Sequence, residues 1–324
     1  MMKKILTFVL LLVMLVSVVA CDDGGVSAPV TDDAPSGGGL GAVGGEGDGD
    51  ESTPEKSLSV PSTWLKVATY NVHRCEDVGS DPTKIAEFIK EYEIDIIGLN
   101  ELDVNCNRSA GYNQPKVMCD WLTKNTGTQY YYAFAAALDG YHKAAIAKDG
   151  NAQYGNAIIS KYPIESTRVV YVFGNNHANA YDPTKPSTQV HSGETQTYER
   201  RALLIAQLNV NGESLTVMAT HWGLNFDERQ NMVTTIKSEM SMISTPVVLM
   251  GDFNEIYTGT NITALSTHFR STKTGLQPYT YSTTNPTKRI DYIYTTKELQ
   301  SRESTVPNVT LSDHFPVIVK IGWY

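Results

Sequence analysis

The most constraining feature of this sequence is a series of short apolar runs, each of which ends in a polar side chain. Leu65–Tyr70 alternates like a strand and stops at Asn71, while Ile94–Leu99 is almost wholly apolar and stops at Asn100 and Glu101. Polar groups beside buried strands cost folding energy unless they are partnered, so we expect them to converge. The polar residues within or next to the apolar runs along the chain are Asn71, Glu101, His221, Asp252 with Asn254, Asp291, and Asp313 with His314.

Helix patterns alternate with the strand patterns. Asp81-Pro82 predicts a helix that reaches Tyr92, and further helices are predicted around Val117–Lys124 and from Asp227 to Ile243. Asn211-Gly212 between two apolar runs predicts a hairpin. The mixture indicates an α+β fold, with two packed, mixed and mostly antiparallel sheets and helices on the outside.

The sequence of the first sixty or so residues predicts an export signal and a disordered segment rather than a folded domain. Lys3 and Lys4 precede the apolar run Ile5–Val16, and the residues before Cys21 resemble a bacterial lipoprotein signal, an ordinary secretory signal being the alternative. Residues 1–20 are therefore expected to be a signal peptide, Cys21 the lipidated residue and residues 21–61 a disordered Gly/Asp-rich tether. Residues 62–324 are expected to form one catalytic domain, monomeric and anchored outside the cytoplasm at the outer membrane, periplasm or cell surface.

Charge and cysteine content narrow the function further. A net charge of −9 argues against a broad surface for nucleic-acid phosphates, although a bound metal could still meet a phosphate locally. Cys75, Cys106 and Cys119 remain beyond the signal, and no Cys-x-x-Cys pattern suggests zinc. An oxidising compartment permits a Cys106–Cys119 disulfide, and three free thiols are the alternative.

The polar residues at the strand ends predict metal-assisted chemistry. They are oxygen donors plus two histidines, and they include no thiolate, which favours Mg²⁺ or Mn²⁺ over zinc. A hard cation beside carboxylates and imidazoles suits phosphate-ester hydrolysis, because the metal neutralises phosphate oxygens while side chains move protons.

These segments resemble the endonuclease/exonuclease/phosphatase superfamily, which has the DNase I-like fold. The resemblance implies a four-layer α/β/β/α sandwich and covers nearly all of the chain after residue 61. The blocks that carry it occur in the family's order. They are Thr69–Val72, Leu99–Glu101, Tyr154–Ala157, Thr220-His221, Gly251–Asn254, Ile290–Tyr292 and Ser312–Pro316.

The resemblance also implies roles for single residues. Glu101 corresponds to the main metal-binding carboxylate with Asn71 beside it, Asp252 to the residue that activates water, and Asn254 to the residue that positions the water. His221 and His314 would flank the scissile phosphate, Asp291 would hold the His314 ring, and Asp313 would contact metal. Substrate contacts are expected from Asn156 and from Arg200 or Arg201, between which spacing does not choose.

The resulting prediction is an envelope-tethered, Mg²⁺- or Mn²⁺-dependent hydrolase of the phosphodiesterase or nuclease type. Its expected substrate is a phosphate ester in nucleic acid, a phospholipid headgroup or an inositol phosphate. A phosphatase or lipid-headgroup phosphodiesterase is the first alternative. A non-catalytic surface binding protein on the same fold is the second, and it is disfavoured because Glu101, Asp252, Asn254 and His314 are all present.

Overall fold

The structure is a computed structural model that describes residues 63–139, 151–173, 190–191, 197–272 and 278–324. The predicted signal peptide, lipidation site and tether, and most of the predicted polar loop 174–197, lie outside these residues. The strands are β1 Leu65–Asn71, β2 Ile96–Val104, β3 Tyr131–Asp139, β4 Gln153–Ser160, β5 Ile164–Val172, β6 Val190–His191, β7 Thr197–Tyr198, β8 Arg201–Val210, β9 Glu213–His221, β10 Val247–Asp252, β11 Arg270–Ser271, β12 Asp291–Thr295, β13 Leu299–Thr305 and β14 Val317–Trp323.

In the described part of the chain, four α-helices accompany the strands: α1 Thr83–Glu91, α2 Gln114–Thr126, α3 Phe226–Met240 and α4 Thr260–Ala264. Short 3₁₀ turns occur at His73–Val78, Asn107–Ser109 and Leu265–Thr267. None of the helices in the described residues has the length and apolar character required to cross a bilayer.

Two six-stranded sheets form the centre of the domain. The first has the order β13-β14-β1-β2-β4-β3 and the second the order β11-β12-β10-β9-β8-β5. The pairs β1–β2 and β9–β10 are parallel, whereas the other pairs within these sheets are antiparallel. The prediction of two mixed, mostly antiparallel sheets is therefore confirmed.

Apolar side chains fill three layers around these sheets. Alternate residues of both sheets, such as Val67 and Ala219, meet in the central core. The other face of the first sheet packs with Ile85 and Leu122 of α1 and α2, while that of the second sheet packs with Ile236 of α3. The result is the predicted α/β/β/α sandwich, in which the ends of β1, β2, β9 and β10 lie at one edge.

β2 differs from its prediction in a way that matters for the site. The strand does not stop at Glu101 but continues to Val104, and its pairing with β4 shifts register between Leu99 and Leu102. Glu101 takes a left-handed backbone conformation, with φ of 61°, inside this bulge. A bulge inserts an unpaired residue and redirects its side chain, so Glu101 leaves the strand pattern here.

The cysteines agree with the alternative of three free thiols rather than with a Cys106–Cys119 disulfide. Cys75, Cys106 and Cys119 are all free and buried. Cys106 follows β2 and its thiol lies 3.2 Å from the carbonyl of Gln153, whereas Cys119 packs on α2 in the outer core of the first sheet. The two thiols thus occupy different parts of the interior, and sequence separation alone gave no indication of this.

Candidate active site

Glu101 and Asp252 come from different sheets and are bridged by one amide. Asn71 Nδ2 donates to Glu101 Oε1 at 3.0 Å and to Asp252 Oδ2 at 3.1 Å. Asn71 Oδ1 accepts from the backbone N–H of His73 at 3.1 Å, which fixes the orientation of the amide. Asn71 was predicted as a metal ligand, but here it orients the two carboxylates through its nitrogen while its oxygen is occupied.

A second amide ties the sheets together beneath the carboxylates. Asn100 Nδ2 donates to Asn156 Oδ1 at 3.0 Å and to the Thr220 carbonyl at 2.9 Å, while its Oδ1 accepts from the Asp252 N–H at 2.9 Å. Asn156 Nδ2 in turn donates to the Ala202 carbonyl at 3.0 Å. The predicted substrate-binding role of Asn156 needs correction, because both ends of its fully buried amide are used to join β4 to β8 and β2.

Backbone geometry at Asp252 explains the glycine before it. Gly251 has φ of 152°, and a Cβ at this position would lie 1.8 Å from the Thr220 carbonyl oxygen. β9 and β10 run in parallel, with Asp252 opposite His221. The close approach of the two backbones therefore requires glycine, and it brings a carboxylate and an imidazole to the same edge.

His314 and Asp291 form a buried ion pair beside Asp252. His314 Nδ1 lies 2.9 Å from Asp291 Oδ2, and its Nε2 lies 3.6 Å from Asp252 Oδ2. Burial alone would lower the pKa of His314, but Asp291 and then Asp252 outweigh it and raise the pKa to about 10. The geometry agrees with the predicted partnership of Asp291 with the ring, which leaves His314 as an imidazolium at neutral pH.

The pKa of Asp252 is raised well above that of an ordinary aspartate. Burial first, and then the Asp291 charge, raise its pKa, while His314, the Asn254 N–H and the Asn71 amide lower it, and the pKa is about 7. Its Oδ1 accepts from the backbone N–H of Asn254 at 2.9 Å. A carboxyl whose pKa lies near neutrality can both take and release a proton at working pH.

His221 lies on the other side of Asp252 and is neutral. Its Nε2 lies 3.6 Å from Asp252 Oδ2 and 3.1 Å from Asn254 Nδ2. Burial, followed by the charges of Arg201 and His314, lowers the pKa of His221 well below its ordinary value. Because Asn254 Nδ2 is a donor that also reaches the Trp222 carbonyl at 3.0 Å, the His221 Nε2 accepts and its proton resides on Nδ1.

The structure distinguishes the two candidate arginines. Arg200 Nε donates to the Ala137 carbonyl at 2.6 Å, Nη2 pairs with Asp139 at 2.9 Å, and the guanidinium lies 4.1 Å from the centre of the Tyr171 ring. Arg200 therefore secures β3 to β5 and does not reach the site, which corrects its predicted substrate role. Arg201 points the other way, as the next residue of an extended chain does.

Arg201 remains a substrate-binding candidate on two grounds. The Arg201 charge is one of the causes of the lowered His221 pKa, which indicates that the guanidinium lies near His221. It lies 3.4 Å from Glu199, but its buried Nε has no hydrogen-bond partner among the residues that the structure describes. A buried donor without a partner is unfavourable, and a phosphate oxygen would satisfy it.

Asp313 joins a second polar cluster at the rim. Its Oδ1 lies 3.9 Å from His73 Nδ1, which is itself 2.8 Å from Asp77 Oδ2. Ser312 Oγ donates to the Asn71 carbonyl at 2.8 Å and so fixes this loop beside β1. Asp313 is therefore grouped with His73 and Asp77, whereas Asp252 is grouped with Asp291 and His314. The metal contact of Asp313 stays a prediction.

Two residues that are not among the predicted site residues contact that site. Arg74 Nη1 lies 3.2 Å from Glu101 Oε2, and Arg74 Nη2 lies 2.8 Å from His73 Nε2 and 2.6 Å from Glu76 Oε2. Arg74 follows Asn71 within a turn whose residues 73–75 all have positive φ, a strained conformation typical of functional sites. Tyr281 is the other, since its ring packs 4.8 Å from that of His314. Only the position of Arg74 just after a strand could have suggested its role.

The carboxylates at this edge fit a hard divalent cation, whereas the charged His314 ring has no lone pair for a metal. In the described residues, two groups bring acidic and histidine ligand atoms within 4.8 Å of one another, namely Asp252 with Asp291 and His314, and His73 with Asp77 and Asp313. The buried Asp291 Oδ1 has no hydrogen-bond partner within the ranges that the structure describes. Glu101, pointed out of its strand by the bulge, adds a third carboxylate close by. Carboxylate oxygens without a thiolate are the preferred ligands of Mg²⁺ and Mn²⁺.

Comparison with known proteins identifies the family. The family model described as the Endonuclease/Exonuclease/phosphatase family matches residues 68–314. The chain belongs to this family. Its members are generally phosphoester hydrolases that use divalent metals, and the matched range includes all the residues gathered at this edge. Comparison of the sequence with curated proteins gave no significant match.

Solved structures of the endonuclease/exonuclease/phosphatase family share the fold. A family protein from Beutenbergia cavernae is 21% identical, with 80% of this chain and 72% of that chain covered and a TM-score of 0.61. The mannosyl-6-phosphatase of Bacteroides thetaiotaomicron is 18% identical over 80% of this chain and 100% of its own, with a TM-score of 0.58. The human Nocturnin catalytic domain is 14% identical over 82% and 96%, with a TM-score of 0.57. At these identities the likeness concerns the fold alone.

Proposed function

We propose that this chain is a divalent-metal-dependent phosphoester hydrolase of the phosphodiesterase or nuclease type, in which water attacks phosphorus directly. One observation carries the proposal: Asp252 Oδ2 lies within 3.6 Å of both His221 Nε2 and His314 Nε2 and accepts from the amide that also holds Glu101. A neutral imidazole, an imidazolium and a carboxyl with a pKa near 7 at one point supply the groups that hydrolysis of a phosphate ester needs.

Each group has a distinct part in this reaction. Asp252 accepts a proton from the attacking water, because its raised pKa keeps the carboxylate basic enough near neutral pH. Asn254 orients that water through its amide oxygen, because both of its N–H groups are used by neutral His221 and the Trp222 carbonyl, which hold the amide in place. Charged His314 stabilises negative charge as it develops on the phosphate oxygens, and Arg201 binds one of those oxygens.

Glu101 would hold Mg²⁺ or Mn²⁺, and Asp313, which lies in the rim cluster with His73 and Asp77, remains the second candidate ligand. When bound, the ion would neutralise the phosphate oxygens and stabilise the leaving oxygen. Arg74 already places a cation 3.2 Å from Glu101 Oε2, which supports the view that this carboxylate requires a positive charge beside it.

A phosphomonoesterase is the second candidate. The fold likeness to a mannosyl-6-phosphatase favours it, and so does Arg74, which adds a cation beside Glu101 and could offset the extra charge of a monoester. Lipid headgroups and inositol phosphates are the remaining candidate substrates. These alternatives share one site, so only substrate comparison separates them.

The test compares hydrolysis of bis-(p-nitrophenyl) phosphate and p-nitrophenyl phosphate with Mg²⁺ or Mn²⁺ and with EDTA. The diester should be turned over only when metal is present, and a panel of DNA, RNA, sphingomyelin and inositol phosphates then identifies the substrate. His314→Ala should lower turnover at least ~10²-fold, the scale for losing a positioned proton-transfer group. His268→Ala, an exposed histidine at the end of a 3₁₀ turn, is the matched control. A folded wild-type protein that hydrolyses neither ester would instead support a binding protein.

We also propose that the enzyme is tethered to the bacterial envelope through Cys21, with substrate reaching it outside the cytoplasm. The support is the sequence itself, in which Lys3 and Lys4 and an apolar run precede this cysteine. Cells expressing the full chain can be labelled with an alkyne fatty acid. The wild-type protein should carry the label and partition with membranes, whereas Cys21→Ala should carry none; equal labelling of both would refute the anchor.

A further inference from the structure

A cavity of about 280 Å³ opens on the outer face of the second sheet, away from the groups gathered around Asp252. β12 contributes Tyr292 and Tyr294 to its wall, Phe269 comes from the segment after α4, and Tyr257 from the loop after β10. Arg289, which precedes β12, adds a positive charge to the lining of the cavity. The proposed hydrolysis uses none of these side chains.

Arg289 is a buried cation at this cavity, and it forms no ion pair with any residue that the structure describes. Only 7% of the residue is exposed, and neither Nε nor Nη1 has a hydrogen-bond partner in the described part of the chain. Its guanidinium lies 5.5 Å from the centre of the Tyr292 ring, a favourable but weak contact. The Tyr292 hydroxyl donates elsewhere, to the carbonyls of Arg289 and Glu255.

Burial lowers the pKa of Arg289, and the charge of the nearest catalytic carboxylate, Asp291, acts to raise it, but the two groups form no ion pair in the described residues. Asp291 is two residues along the chain, but its Oδ2 is paired with His314 at 2.9 Å. Asp291 lies among the groups between the sheets, whereas Tyr292 and Tyr294 belong to the outer core with Phe269. A buried guanidinium that lines a cavity and has N–H groups without a partner in the described residues is unfavourable unless an anion enters.

The shape and lining of the cavity define what would enter. A volume of about 280 Å³ is near the lower limit for small-molecule sites, which suits one ring rather than a polymer. Tyrosine and phenylalanine faces favour a flat or sugar-like ring, and the two guanidinium donors favour a phosphate or carboxylate. We propose that this cavity is a second binding site, for a small ring compound that carries one anionic group, with Arg289 as the anchor.

Calorimetric titration of the full-length protein in EDTA tests the proposal with three probes. Phenyl phosphate offers ring and anion, inorganic phosphate the anion alone, and phenol the ring alone. Phenyl phosphate should bind most tightly. Arg289→Gln should weaken its binding at least about tenfold, because hydrogen bonds to a charged group are lost. Arg201→Gln, which removes the arginine of the proposed active site, should leave this binding unchanged.

A second variant protects the test against misfolding of Arg289→Gln. Ser266 lines the cavity and is exposed, so Ser266→Trp should block the cavity while Arg289 remains in place. Loss of phenyl phosphate binding in both variants supports the site. The proposal is overturned if wild type does not bind phenyl phosphate, if binding survives in Ser266→Trp, or if Arg201→Gln alone abolishes it, since the anion would then occupy the active site.

Discussion

Replacing Asp291 with asparagine would isolate the ion pair on which the proposed chemistry depends. The change keeps the shape of the side chain but removes the carboxylate 2.9 Å from His314 Nδ1. Burial opposes the charged ring, yet Asp291 and Asp252 raise its pKa from 6.5 to about 10. At about 1.4 kcal/mol per pKa unit, this corresponds to roughly 5 kcal/mol in favour of the imidazolium. Since Asp291 is the larger of the two favourable causes, we expect the His314 pKa to fall by several units in the variant.

Stability should follow the same protonation. The folded protein retains the His314 proton between pH 6.5 and about 10, where the unfolded chain has lost it, so the stabilisation is complete below pH 6.5 and is lost as pH rises through about 10. The raised pKa of Asp252 also makes stability fall with rising pH, but between about 3.8 and 7. Burial also raises the pKa of Cys75, Cys106 and Cys119, so these thiols add to the fall in stability above about pH 8 in both proteins. The difference in slope between wild type and Asp291→Asn from pH 7.5 to 10 therefore reports His314, and wild type should lose up to about 1.4 kcal/mol more per pH unit than the variant.

Urea unfolding in EDTA at several pH values measures this slope, and the His314 ring proton signal in NMR gives the pKa directly. At pH 7 the variant should be less stable by about 3 kcal/mol, the scale for breaking a buried pair, and its turnover should fall. Asp120→Asn, at an exposed carboxylate paired with Lys116, is the control and should leave the slope unchanged. Parallel stability curves for wild type and Asp291→Asn would show that His314 is not held as an imidazolium by this carboxylate.

Three further substitutions examine the rest of the site. Glu101→Gln should raise the Mg²⁺ concentration for half-maximal activity at least about tenfold, and an unchanged metal titration would exclude it as a ligand. Arg74→Ala should lower that concentration severalfold, because a cation that pairs with Glu101 competes with the metal; the exposed Arg302→Ala should not, and equal titrations of the two would contradict the idea. Gly251→Ala should cost roughly 3 kcal/mol or more in urea unfolding, since its Cβ would overlap the Thr220 carbonyl; wild-type stability would mean that β9 and β10 can separate.

Much of the fold could be predicted because hydrophobic periodicity and turn chemistry agree locally. The hairpin at Asn211-Gly212 forms with positive φ at both residues, as that dipeptide predicts. Strands with weak patterns were missed. Ile164–Val172 has exposed and half-buried residues along most of its length, and Leu299–Thr305 is mainly polar, so neither has the clear alternation of a half-buried strand. Both are edge strands of their sheets. Few of their side chains are buried, so their sequences lack a clear apolar pattern.

The residues near the active site could be named from the sequence, but the role of each one could not be predicted. Arg200 and Arg201 are identical in type and adjacent, and only the direction of each side chain from the strand separates a residue that secures β3 from one that faces His221. The role of Asn156 was likewise hidden, because an amide can bind substrate or join two sheets with the same atoms. Such assignments depend on contacts between strands that are distant in sequence.

The bulge at Glu101 explains why the site stands at this edge of the sandwich. A regular β2 would point residues 99 to 103 alternately into the two cores, and a carboxylate among them would be buried against apolar side chains. The left-handed conformation of Glu101 turns its side chain to the end of the sheets, where Asn71 connects it to Asp252 of the other sheet. The strain of that conformation persists only because Asn100, its neighbour, is fixed by Thr220 and Asp252 across the interface. Packing of the two sheets and assembly of the catalytic groups are therefore one event, so variants that loosen the Asn100 contacts should lose metal affinity before they lose the fold.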